Sequence, residues 1–123
     1  MTPRPSRTLL SAKHTQLVEV VYKRLQYERD LKIDHLRQSR LAPRPGTHPT
    51  FWGLAPGAPD LYGILGPNGR VFGLECKTGK AGLEPDQIEF AATVRRLGGF
   101  CAVVRSVHEA LAALARARKG ERE

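Results

Sequence analysis

Two carboxylates and one amine carry the chemistry that this sequence offers. Asp60 is followed fifteen residues later by Glu75-Cys76-Lys77, within the run Pro59-Asp60-Leu61-Tyr62-Gly63-Ile64-Leu65-Gly66-Pro67-Asn68-Gly69-Arg70-Val71-Phe72-Gly73-Leu74-Glu75-Cys76-Lys77. Two carboxylates that converge on one point repel each other unless a cation joins them. A small set of hard oxygen ligands suits Mg²⁺ or Mn²⁺, with water and a substrate phosphate completing the shell. A cation held in this way lowers the pKa of a bound water and neutralises charge developing on a phosphate. Lys77 would orient that water or stabilise the charge of the transition state. Zinc fits less well, because His14, His35, His48 and His108 do not form a ligand-spaced set with Cys76 and Cys101.

A β-hairpin is the element that must bring the three side chains together. Leu61 to Leu65 reads as one strand and Arg70 to Lys77 as the return strand. Between them Gly66-Pro67-Asn68-Gly69 is a turn signal, since Asn-Gly accepts the positive φ angles of a tight hairpin. Asp60 then lies at the same end as Glu75 and Lys77. Side chains alternate along a strand, so Val71, Gly73, Glu75 and Lys77 share one face. Phe72, Leu74 and Cys76 share the other, which is apolar and expected to face the core. Gly73 is expected to leave open space for the backbone of a ligand.

The remaining elements follow from periodicity and punctuation. Residues 1–11 read as a flexible arm. Leu17, Val18, Val20, Val21, Tyr22 and Leu25 recur at helical spacing, so a helix is expected from Ala12, capped by Ser11, to about Arg29 or on through Leu36. Prolines and glycines exclude a helix over residues 41–59, where Thr50-Phe51-Trp52 is a candidate short strand. Pro85 suits the first position of a second helix, with Ile88, Ala91, Ala92, Val94 and Leu97 as its apolar stripe and Gly98-Gly99 as its stop. Phe100 to Val104 reads as a buried strand. Ser106 with Glu109 forms a capping box for a last helix, Val107 to about Arg118. Residues 120–123 are expected to fray. Strand 70–77, helix 85–97 and strand 100–104 make a βαβ crossover, so those two strands are expected to run parallel. The fold class is α/β, a mixed β-sheet flanked by helices.

Composition bounds the rest. The chain has 123 residues, 41% hydrophobic and 26% charged, which fits one globular domain over residues 12–119. No stretch approaches the ~20 apolar residues that a membrane crossing needs. Residues 1–7 lack the apolar block of a secretory signal, and the two cysteines sit in apolar runs as buried thiols, so a cytoplasmic location is expected. Twenty Lys and Arg against twelve Asp and Glu give a net charge of +8, which favours a polyanionic partner. Lys80 is a candidate phosphate contact. Phe51-Trp52 could stack on a base or pack in an interface. Arg95-Arg96 reads as a solvated helix face rather than a phosphate contact.

A lone Glu-x-Lys carries little information, since both residues are common. The collinear set is more specific. Gly57-Ala58-Pro59-Asp60-Leu61, Leu74-Glu75-Cys76-Lys77, Gly79 to Gly82, Pro85-Asp86-Gln87 and Gly98-Gly99-Phe100 to Ser106 together resemble the PD-(D/E)XK nuclease superfamily. More narrowly they resemble the small stand-alone VRR-NUC (virus-type replication-repair nuclease) domains of phages and prophages, over about residues 55–112. The resemblance implies a restriction-endonuclease-like core of order αβββαβ plus a C-terminal helix. It also implies an Mg²⁺- or Mn²⁺-dependent endodeoxyribonuclease acting in DNA repair on branched DNA such as Holliday junctions, as a homodimer. Asp60, Glu75 and the backbone carbonyl of Cys76 would be metal ligands, and Lys77 the catalytic lysine. Gln87 would support the site or contact DNA. An acidic residue on the first helix is also implied, for which Glu19 is the candidate and Gln16 its rival. The segment Tyr27 to Ala55 departs from the family by its length and prolines, and would serve as a dimer arm, a DNA-contacting loop or a lid. A nickase or restriction-like nuclease on duplex or single-stranded DNA, and a non-catalytic DNA-binding protein of the same fold, are the rival readings.

Overall fold

The structure, a computed structural model, describes residues 7–35, 40–41, 50–51 and 56–123, with side-chain environments over 12–35 and 56–123. The elements are α1 (Arg7–Leu25), β1 (Leu31–His35), β2 (Arg40–Leu41), β3 (Thr50–Phe51), β4 (Leu61–Leu65), β5 (Arg70–Cys76), α2 (Pro85–Arg96), β6 (Phe100–Val104) and α3 (Val107–Arg118). Four strands form one mixed sheet in the order β1-β4-β5-β6. The pairings β1–β4 and β4–β5 are antiparallel, whereas β5 and β6 run parallel, as the crossover through α2 requires. β2 and β3 pair separately within the proline-rich segment.

The sheet is covered on both faces. On one face Ile33, Leu61, Phe72, Leu74, Cys76 and Val104 meet Val18, Val21 and Leu25 of α1 and Ala110, Ala113 and Leu114 of α3. The Phe72 and Phe100 rings stack at 5.3 Å between centroids. Each large apolar side chain buried here contributes about 1.5–3 kcal/mol. On the other face Ala91 and Val94 of α2 pack with Cys101, beside Val71 and Phe90. Two opposed faces of one sheet are thereby filled by helices, a common solution for α/β chains.

Several expectations change. α1 begins at Arg7 rather than Ala12, so only residues 1–6 of the expected arm lie outside the described residues. α1 also stops at Leu25, and the region expected to extend it contains β1. Backbone bonds from Glu28 to Leu25 and from Leu31 to Glu28 turn the chain, after which Leu31 and Ile33 alternate inward. In the hairpin turn only Gly69 takes a positive φ, +74°, and Asn68 does not. The α2 stripe is narrower than expected, because Ile88 is 55% and Leu97 72% exposed while Ala91 and Val94 are buried.

Residues 120–123, expected to fray, are held. Arg70 donates from Nε to Gly98 O at 2.8 Å and from Nη1 to Ala117 O at 2.7 Å, and its Nη2 reaches the carbonyl of Glu121. The Cys101 N–H donates to Arg122 O at 3.0 Å, on the outer edge of β6. Arg118 ties α3 to the α1–β1 connection through Asp30 at 2.7 Å and Glu28 at 2.9 Å. Among the described residues no helix is long and apolar enough to cross a membrane.

Candidate active site

The hairpin register sets the site. Leu61 pairs with Leu74, so the next step outward sets Asp60 opposite Glu75. The Lys77 N–H donates to Val104 O at 3.1 Å, which keeps Lys77 in line with β5 just past its last residue. The charged trio therefore gathers at the carboxyl ends of the parallel strands β5 and β6, where open α/β sheets present their ligand crevices.

Asp60 is fixed by two contacts on one oxygen. Its Oδ2 accepts the Cys76 N–H at 2.8 Å, and His14 Nε2 lies 3.3 Å from the same atom. Cys76 thus serves twice: its thiol fills the core and its amide anchors the carboxylate. His14 was not among the residues expected at the site. It extends the inward stripe of α1, Val18, Val21 and Leu25, by one turn at a spacing of four residues. That stripe was legible as the core face of the helix, and extending it by one turn would have found His14. Glu19 and Gln16 are both exposed. Glu19 lies one residue, about 100°, off the stripe and about 140° around the helix from His14. α1 therefore brings His14 to Asp60, and leaves Glu19 and Gln16 on its outer surface.

Glu75 is buried, 7% exposed, with one hydrogen-bond donor and one nearby cation. Gln87 Nε2 donates to its Oε1 at 3.1 Å, and Lys77 Nζ stands 4.0 Å from the same oxygen. Gln87 is itself oriented, because its Oε1 accepts the Glu84 N–H at 2.8 Å. Burial, then the nearby charge of Asp60, raises the Glu75 carboxyl from 4.5 to about 9, against the opposing pull of Lys77. Burial is also the first cause that lifts the Cys76 thiol to about 12 and the Cys101 thiol to about 11. Both remain thiols near neutral pH, in line with their reading as core residues.

Two glycines shape the surroundings. Gly57 has φ +91°, and a Cβ there would collide with the Asp86 carbonyl. The chain leading to Asp60 is thus pressed against the first turn of α2, which carries Gln87. Gly73 was expected to leave room for a ligand. The structure fills that room instead: a Cβ at Gly73 would meet the Pro59 ring at 2.9 Å and the Cys101 Sγ at 3.3 Å.

The loop after Lys77 is less free than its glycines suggest. Arg105 donates from Nη1 to Gly79 O at 2.9 Å and from Nη2 to Ala81 O at 2.7 Å. It holds the loop with Lys80 exposed upon it. Sequence reasoning missed Arg105, since a single arginine after a strand carries no spacing signal. Trp52 and the side chain of Phe51 lie outside the described residues.

Among the described residues no three His, Cys, Asp or Glu side chains are grouped to hold a metal. The side-chain donor set is therefore the two carboxylates, Asp60 and Glu75. That is too few for a zinc site closed by side chains, but it fits Mg²⁺, which keeps several waters and uses one or two carboxylates. Burial is the first cause of the raised Glu75 pKa and the charge of Asp60 the second, and a bound cation would offset the second. A second, apolar groove of about 400 Å³ lies at the other end of the sheet, lined by Tyr62, Val71, Phe90 and Leu97. It touches none of these groups. No family model matches this chain, and no curated protein matches it either.

Proposed function

We propose that this chain is an Mg²⁺- or Mn²⁺-dependent endodeoxyribonuclease with a PD-(D/E)XK core of the VRR-NUC kind. Its substrate on this reading is branched DNA such as a Holliday junction, and it acts as a homodimer, whose symmetric sites match two symmetric strands. One observation carries the reading. A buried glutamate, a second carboxylate and a lysine converge at the ends of β5 and β6, with Nζ 4.0 Å from Glu75.

Asp60 and Glu75 would hold the divalent ion, with the Cys76 carbonyl beside them. When bound, the ion supplies a water of lowered pKa and neutralises charge on the phosphate. Lys77 would orient an attacking water and offset charge in the transition state. His14 and the Cys76 N–H hold Asp60 in place through Oδ2. Gln87 does the same for Glu75. The net charge of +8 draws the polyanion in.

The test is cleavage of a labelled four-way junction with Mg²⁺ or Mn²⁺, and none with EDTA. If no branched, duplex or single-stranded DNA is cut with either metal, the enzymatic reading is lost. DNA binding without cutting would then favour a non-catalytic DNA-binding protein. Burying Glu75 against Asp60 argues for the enzyme, because a protein that only binds a polyanion has no use for converging carboxylates. Cutting of duplex or single strands in preference to junctions would select the nickase or restriction-like alternative.

A further inference from the structure

We propose that Arg95 and Arg116 form a phosphate-binding subsite on the outer edge of β6, and that Glu123 fills it in the free protein. The proposal rests on the reading of DNA as the substrate, and uses none of Asp60, Glu75 or Lys77.

β6 is an edge strand of the sheet. Arg95 reaches back to it from α2 and donates to Cys101 O from Nε at 3.1 Å and Nη2 at 2.7 Å. This pins the guanidinium, so Arg95 is not the solvated helix residue that its sequence suggested. Arg116 comes from α3, with its guanidinium over the Phe100 ring at 5.8 Å from the centroid. The two cations converge on one residue. Arg95 Nη2 stands 3.2 Å from Glu123 Oε2, and Arg116 Nε donates to Glu123 O at 3.2 Å.

A carboxylate and a phosphodiester offer a guanidinium the same kind of anionic acceptor. Glu123 is the replaceable member, since its side chain is 72% exposed and that of Arg95 only 28%. Exposed ion pairs of this kind are weak and salt-screened. The arginines, by contrast, are already positioned by Cys101 and Phe100, which lowers the ordering cost of binding.

The location links this subsite to the chemistry. An open groove of about 480 Å³ is lined by Leu83, Arg95, Ala102, Val103, Arg116 and Glu123. Leu83, Arg95, Ala102 and Val103 also line a narrow gap of about 10 Å³ that Glu75 and Gln87 border as well. Val103 is the β6 partner of Glu75. A DNA strand with one phosphate between the two arginines would then lie along β6, the strand that pairs with Glu75. Glu123 competes with that phosphate.

The experiment is fluorescence anisotropy with the full chain, a fluorescein-labelled four-way junction and a labelled single strand, in EDTA and over a range of salt. Glu123→Gln should tighten binding about three- to tenfold at low salt. Glu121→Gln makes the same change in net charge and should leave affinity nearly unaltered. Arg116→Gln should weaken binding and lower the log–log salt slope by about one, the share of a single phosphate contact. In the double variant Arg95→Gln with Glu123→Gln, the gain should vanish, because Arg95 is the cation that the Glu123 carboxylate occupies. Equal tightening by Glu121→Gln, no effect of Glu123→Gln, or a gain that persists in the double variant overturns the proposal, as does a wild type that binds no DNA. Glu123→Gln alters an exposed side chain, so the outcome does not hinge on a variant that fails to fold. Because EDTA excludes hydrolysis, these shifts without cleavage under any metal would refute the nuclease and keep the subsite, whereas cleavage without the shifts would do the reverse.

Discussion

His14 Nε2 and the Cys76 N–H meet the same oxygen of Asp60, at 3.3 and 2.8 Å. The other oxygen is thereby turned away from both. With Nε2 protonated, His14 donates, and the carboxylate is held in one rotation. Groups that orient a metal ligand in this way typically change metal affinity or activity about 10–100-fold when removed. His14→Ala should therefore weaken Mn²⁺ binding by about tenfold in calorimetry, and His14→Gln, which keeps a donor, should recover part of the loss. Wild-type affinity in His14→Ala would show that the contact does not position Asp60.

Lys77 stands close to Glu75 and to the open end of β5 and β6. Lys77→Ala should lower the cleavage rate about 10²–10³-fold, the usual scale for removing one group that stabilises transition-state charge. Affinity for DNA in EDTA should change little. Cutting at the wild-type rate would remove Lys77 from the mechanism.

Glu75 sets a pH dependence with a definite sign. Its folded-state carboxyl titrates at about 9 against 4.5 when unfolded, so between those values the folded state holds the extra proton. Stability then falls as pH rises through that window. Glu75→Gln removes this contribution. In the metal-free protein its melting temperature should exceed that of the wild type by a margin that grows from pH 5 to pH 8. Adding Mn²⁺ should raise the wild type and not the variant. A margin that is flat with pH would show that Glu75 is not strained by burial beside Asp60.

Two substitutions separate core from surface. Phe72→Ala removes a buried ring stacked on Phe100 and should cost about 3–5 kcal/mol in denaturant unfolding. Arg118→Met breaks contacts to Glu28 and Asp30 that are partly solvated, and should cost no more than about 1 kcal/mol. Arg118 lowers the pKa of both carboxylates. Their contribution is therefore present at neutral pH and lost in acid, as pH drops through the lowered values. Equal destabilisation of the two variants would contradict this division.

Much of this arrangement was legible because local signals agreed with one another. The Gly66 to Gly69 turn, the alternation of Arg70 to Lys77 and the apolar run from Phe100 each admit one reading. They place Asp60 and Glu75 opposite each other without reference to the rest of the chain. β1 was hidden because Gln26 to Asp30 contains no glycine or proline to end the helix, and only the backbone turn at Glu28 separates α1 from the strand. His14 was hidden for a different reason. Its role depends on where α1 lies across the sheet, which no local spacing states. Gly73 was misread because the space beside a glycine is filled by residues distant in sequence, here Pro59 and Cys101.

An amide has a direction, and the start of α2 chooses it for Gln87. The Glu84 N–H claims the oxygen, so the nitrogen is the end left for Glu75. The partial charge offered to a buried carboxylate is thus decided by a backbone group three residues before Gln87. The helix start acts as a polarity selector for the strand beside it.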